Sequence, residues 1–160
     1  MMDKPKEKLE HRLGTLLTQK NLSLSLAESC TGGLISHRLT NIPGSSLYIK
    51  GGIIAYDNAI KINLLKIPAQ VIAEKGAVSK EVASLMAQGV RQLMESDIGI
   101  GVTGIAGPTG GTKEKPVGLV YIGIATGDKT EVQKFLFTGE REEIKAKTAD
   151  EALAKLLKLL

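Results

Sequence analysis

The run from Gly101 to Gly118, GVTGIAGPTGGTKEKPVG, constrains this chain more than any other stretch. Its six glycines and two prolines sit between the apolar segments Ile98-Gly99-Ile100 and Leu119 to Ala125. Glycine loses the most backbone freedom on ordering, and Pro108 and Pro116 supply no ladder donor, so the run cannot be a core element. It reads as a long connection between two buried strands, and a connection of that length in a compact domain is usually functional or disordered. Its glycines let backbone N–H groups approach a ligand, and its Thr and Lys side chains suit a polar or anionic one.

The rest of the chain alternates helix and strand. Leu9, Leu13, Leu16 and Leu17 recur at helical spacing between about Lys6 and Gln19. Leu22 to Ala27 alternates Leu and Ser, the pattern of a half-buried strand. A second helix follows ESCTGG through Leu34, Ile35, Arg38 and Leu39 and stops before Pro43. GGIIAY, Gly51 to Tyr56, predicts a strand, and Asn58 predicts the cap of a short helix ending near Pro68. Ser79 caps a strong helix bearing Val82, Leu85, Met86, Val90 and Leu93. After the strands Ile98 to Val102 and Val117 to Ala125, a turn at Gly127-Asp128 leads into Glu131 to Phe137 as a hairpin, then a helix from Glu140 to Leu160. The expectation is an α/β fold: one layered α/β/α domain over residues 1–160, with a mixed, mostly parallel sheet and a C-terminal β-hairpin plus helix.

Composition narrows the function classes. Aromatics are 3% of the chain and there is no Trp, so base-stacking platforms are disfavoured. The net charge of +4 is scattered among acidic neighbours, much of it at Lys4, Lys6, Lys8 and the C-terminal lysines. That reads as solvated helix faces, and no nucleic-acid partner is expected. One cysteine excludes an internal disulfide framework and a multi-cysteine metal site. MMDKPKEKLEHR does not resemble a signal sequence, and no segment reaches the roughly 20 apolar residues of a membrane span. A cytoplasmic protein without a membrane partner is expected.

Several motifs invite chemistry. Gly99-Ile-Gly101-Val-Thr-Gly104 fits GxGxxG, but the glycines lie in and just after a strand, and no helix follows. Lys113 is preceded by Thr112, and no Gly-Lys-Ser/Thr triplet completes a phosphate-binding loop. Cys30 with His11 or His37 is formally a nucleophile and base, yet both histidines sit on charged helix faces and Cys30 reads as a small buried filler. Ser45 and Ser46 in Pro43-Gly44-Ser45-Ser46, then Tyr56, then Lys61, form a further constellation. A serine needs a base, a lysine of lowered pKa can be one, and a tyrosine hydroxyl can relay the proton between them. The same residues also read as a plain turn and a solvated helix lysine.

AESCTGG at 27–33, PGSS at 43–46, GGIIAYDNAIK at 51–61, GAVS at 76–79 and VTGIAGPTGGTKEKPVG at 102–118 occur in one order across nearly the whole chain. Together they resemble the C-terminal domain of the competence/damage-inducible CinA family, which includes nicotinamide mononucleotide deamidases of the PncC type. The resemblance implies an amidohydrolase that turns nicotinamide mononucleotide and water into nicotinic acid mononucleotide and ammonia, with no metal or organic cofactor, in a homo-oligomer. It implies Ser46 as nucleophile, with Ser45 the alternative nucleophile and otherwise a substrate contact, and Tyr56 and Lys61 as the other catalytic positions. Substrate contacts fall on Ser29, Thr31, Gly32 and Gly33, where a helix start could hold phosphate. They fall also on Thr103, Gly104 and Gly107, and on Arg141 as a bidentate phosphate partner. The chain departs from the family in having Gly139-Glu140-Arg141 for Gly-Asp-Arg and Lys145 where arginine is frequent. A non-catalytic nucleotide-binding module and a competence-related assembly protein are the competing readings.

Overall fold

The computed structural model describes residues 7–160. Five strands, β1 (Leu24–Glu28), β2 (Ile49–Ile54), β3 (Ile98–Gly104), β4 (Leu119–Ala125) and β5 (Thr130–Leu136), form one sheet in the order β2-β1-β3-β4-β5. β1 runs parallel to β2 and to β3, whereas β4 is antiparallel to both β3 and β5. The sheet is mixed, as expected, with two of its four pairings parallel and two antiparallel, and β4–β5 is the predicted hairpin. The helices are α1 (Leu9–Gln19), α2 (Leu34–Thr40), α3 (Asn58–Asn63), α4 (Ala69–Lys75), α5 (Lys80–Met94) and α6 (Arg141–Leu159).

Strand periodicity sorts the two faces of the sheet. Leu24 and Leu26 of β1 and Ile98, Ile100 and Val102 of β3 pack into a core with α1, α2 and α6. The alternate residues face α5. Ala27 joins Val82, Met86 and Val90 there, and buried Ser25 reaches the Val90 carbonyl at 3.2 Å and Ser96 Oγ at 2.6 Å. The Leu/Ser alternation of β1 thus marks two different protein partners, and no face of that strand is wet.

Gly99, Gly101 and Gly123 let α5 lie directly on the sheet. A Cβ at Gly101 would stand 2.5 Å from Ala87 N and 2.6 Å from Ala83 O, and one at Gly123 would stand 2.7 Å from Ala83 O. Two glycines of the GxGxxG-like run, Gly99 and Gly101, are thus packing positions under α5, whereas a Cβ at Gly104 would meet Val120 and Cys30.

Several local expectations change. Asp57, not Asn58, caps α3, accepting from Ala59 N at 2.7 Å. The α4 turn after Pro68 had no periodic signal. Ser79 does cap α5, accepting from Val82 N at 3.2 Å. Glu140 and Glu143 form a capping box that starts α6. Lys4 and Lys6 lie outside the described residues.

Candidate active site

In an open α/β sheet, ligands settle beyond the carboxyl ends of the parallel strands where the chain order reverses direction. Here that point is β1, since its neighbours β2 and β3 are reached on opposite sides. A cavity of about 220 Å³ opens there. Ser29 and Cys30 enter it from the end of β1, Tyr56 from beyond β2, and Thr103 and Gly104 from the end of β3. Lys61 comes from α3 and Arg141 from the first turn of α6.

Lys61 is only 1% exposed. Its Nζ donates to Ala55 O at 2.6 Å and Tyr56 O at 3.2 Å, and lies 3.1 Å from Ser29 Oγ. Burial lowers the Lys61 pKa because a desolvated ammonium is costly; the Asp57 carboxylate, and more weakly Cys30, act in the opposite direction. When the amine is neutral, its two N–H bonds can serve the two carbonyls, leaving its lone pair facing Ser29 Oγ. A buried base aimed at a serine hydroxyl is the arrangement that activates an alcohol nucleophile.

This partner differs from the one expected. Ser46 is exposed in the 3-10 turn Ser45–Leu47, which precedes β2, whereas Ala55 and Tyr56 follow it. The six residues of β2, at about 3.3 Å each, put about 20 Å between the two ends. Ser45 and Ser46 therefore lie at the opposite end of β2 from Lys61. Tyr56 also differs: its main-chain carbonyl, not its phenol, meets Lys61, so it is not interposed between serine and lysine. The 60% exposed phenol instead accepts from Arg141 Nη2 at 3.0 Å, and Arg141 Nη1 donates to Gly107 O at 2.6 Å.

The start of α2 does not offer the phosphate site read from Thr31, Gly32 and Gly33. The buried Glu28 carboxylate fills it, accepting from Thr31 Oγ1 at 2.7 Å and from the amides of Ile35 and Ser36, each at 2.9 Å. Ser36 Oγ adds a bond at 2.6 Å. An internal anion already on those donors repels a second one. Lys145, one helical turn beyond Arg141, stands near Gly32: its Nζ lies 3.6 Å from where a Gly32 Cβ would be.

The long loop reaches the cavity at Ala106 and is tied to the segment bearing Ala77 and Val78, which line it. Lys115 Nζ donates to Lys75 O at 2.5 Å and Val78 O at 2.7 Å, while Thr103 Oγ1 donates to Ala77 O at 2.8 Å. Cys30 borders the cavity with its thiol pushed up to about 12 by burial, so it stays protonated at neutral pH. His11 and His37 are exposed and do not line this cavity. Among the described residues, no group of three or more His, Cys, Asp or Glu side chains could hold a metal ion. No described helix is long and apolar enough to cross a membrane.

The family model of the CinA C-terminal domain matches residues 6–160. The chain belongs to that family. It is 53% identical over 152 residues to a competence-damage inducible protein of Moorella thermoacetica, covering 95% of this chain and 37% of that protein. A CinA-like protein of Dictyoglomus thermophilum is 51% identical over 145 residues, covering 91% of this chain and 35% of the relative. The chain thus spans little more than a third of the length of these curated relatives. Among solved structures, the competence/damage inducible protein CihA of Agrobacterium tumefaciens superposes with a TM-score of 0.92 at 38% identity, covering 94% of this chain and 93% of that one. A CinA superfamily protein of Escherichia coli gives 0.92 at 31% identity, over 95% of this chain and 88% of that one.

Proposed function

We propose that this CinA-family domain is a nicotinamide mononucleotide deamidase, an amidohydrolase with Ser29 as nucleophile and Lys61 as base. The observation that carries this reading is the buried Lys61 amine, 3.1 Å from Ser29 Oγ and anchored by two backbone carbonyls. Neutral Lys61 takes the proton of Ser29 Oγ as that oxygen bonds to the carboxamide carbon. The tetrahedral intermediate collapses when the lysine ammonium returns the proton to the leaving nitrogen, and ammonia departs. A water then loses a proton to Lys61, adds to the Ser29 ester, and releases nicotinic acid mononucleotide with Ser29 Oγ reprotonated.

The amides of Cys30 and Thr31 have no carbonyl acceptor among the described residues and follow Ser29 directly, which suits them to the developing oxyanion. The cavity volume of about 220 Å³ is small for a whole nucleotide, so the pyridine carboxamide occupies it and the phosphate projects outward. Arg141, with Lys145 on the same helical face, meets the phosphate there. Tyr56 orients that arginine. Assembly as a homo-oligomer and a cytoplasmic place in pyridine nucleotide recycling accompany this reading.

The test is ammonia release from nicotinamide mononucleotide by the purified protein, with a chelator present. Turnover by the unaltered protein and loss of about 10³-fold or more in Ser29→Ala and Lys61→Ala are expected. Ser46→Ala should retain turnover within about twofold, given its separation from the base. Absence of ammonia from the unaltered protein overturns the proposal.

A further inference from the structure

The polar side chains around the cavity are almost all satisfied internally. Ser29 and Lys61 hold each other, Thr103 holds Ala77 O, and Tyr56 and Arg141 hold each other. Asn58 lines the same cavity, is exposed, and makes no side-chain hydrogen bond among the described residues. We infer that Asn58 is the side chain that recognises the sugar hydroxyls of the substrate, an assignment that rests on the deamidase reading of this cavity.

Placement supports a sugar over the other parts of the molecule. Asn58 and Lys61 are three residues apart on α3, so they share a face with Cβ atoms about 5–6 Å apart. Lys61 is at the buried end and Asn58 at the open end. The scissile carboxamide has to touch Ser29, at the Lys61 level. A pyridine ring then separates that carbon from the glycosidic bond, so the sugar begins at the level of Asn58. The carboxamide side chain both donates and accepts, as a pair of hydroxyls does, and it carries no charge with which to select phosphate. Arg141 comes from a separate element, α6. Sugar and phosphate are therefore read by different elements.

The experiment uses Asn58→Ala and Asn58→Leu with three ligands: nicotinamide mononucleotide, nicotinamide riboside and free nicotinamide. Binding is followed by calorimetry and turnover by ammonia release. For the mononucleotide and the riboside, KM and Kd are expected to rise about tenfold, the loss of a neutral hydrogen-bond pair, with a shift below about twofold for free nicotinamide. Equal losses on all three ligands, or none on any, overturn the assignment. Weakened mononucleotide and riboside binding without ammonia release from any form supports Asn58 and refutes the deamidase. No mononucleotide binding by the unaltered protein overturns both.

Discussion

Gly101→Ala tests whether the close approach of α5 to the sheet is the frame on which the cavity rests. An added Cβ would stand 2.5 Å from Ala87 N, 2.6 Å from Ala83 O and 2.8 Å from Met86 Cβ. Carbon atoms settle at about 3.5–4.0 Å, so α5 has to withdraw by about 1 Å. Two of the three obstacles are backbone, and no rotamer change relieves them. A gap of that size forfeits a quarter to a half of the dispersion contact along the buried face of Val82, Ala83, Met86, Ala87 and Val90. Overpacking costs about 1–3 kcal/mol in ordinary cores, and backbone collision puts this site at the upper end, about 3 kcal/mol. The lower entropy of an unfolded alanine returns at most about 1 kcal/mol. With an unfolding entropy of about 2.1 cal/mol/K per residue, a net loss of 2–3 kcal/mol lowers Tm by roughly 6–9 °C. Thermal unfolding followed by circular dichroism reads it directly. Gly44→Ala is the control: its φ of 87° strains an alanine, but nothing stands within 4 Å of the new Cβ. It should lose only about 1–2 kcal/mol. A Gly101→Ala protein as stable as the parent would refute the packing argument.

The remaining expectations concern the cavity. In the proposed mechanism Lys61 acts as the neutral amine, so kcat/KM should rise with pH along a limb set below the ordinary lysine value of 10.5; a profile that falls over that range contradicts its role as base. The same lowering makes the unfolded chain bind more protons than the folded one between the two pKa values, so Lys61 makes stability rise with pH in that window. Denaturant unfolding of the protein and of Lys61→Met across that range should differ in slope. Arg141→Ala should raise KM for the mononucleotide more than tenfold with a smaller change in kcat, and Tyr56→Phe should do so by a fewfold, since only one exposed hydrogen bond is lost. Cys30, held protonated by burial, should resist alkylation at pH 8 in the folded protein and react once denatured, as mass spectrometry would report.

Much of the fold is legible before any coordinates. Leucine spacing marks α1, the Ser79 cap marks α5, and the glycine-rich run marks the loop that reaches the cavity at Ala106, each a signal confined to its own segment. α4 is not legible because seven residues after a proline present too little periodicity. The cavity was harder to read for a different reason. Pro43-Gly44-Ser45-Ser46 and Ala27-Glu28-Ser29 are both serine-bearing segments ahead of Lys61, and chain order alone ranks them equally. Only the register of β1 against β2, with Glu28 beside Ile54, sets Ser29 at the Lys61 end and Ser46 at the other. Asn58 escaped as a site residue because its place ahead of a short helix reads as a cap. The neighbouring Asp57 takes that duty and leaves the Asn58 amide unused.

Glu28 then gives the proposed reaction its direction. A helix start beside the nucleophile would attract the phosphate of any nucleotide and draw the wrong end of the substrate toward Ser29. Glu28 occupies the amides of Ile35 and Ser36 through opposite carboxylate oxygens, so that attraction is already spent inside the chain. Positive charge available to the substrate lies instead on α6, at Arg141 and Lys145. In the proposed reaction the phosphate is drawn to α6, and the uncharged carboxamide is left for the pocket between Ser29 and Lys61. A glutamine at position 28 would turn its amide group toward one of the two backbone donors whichever way it is flipped, leaving that donor unpaired. It would loosen the Ser29 turn and unmask the helix start together. The polarity of the proposed site is thus built into the residue that immediately precedes the proposed nucleophile.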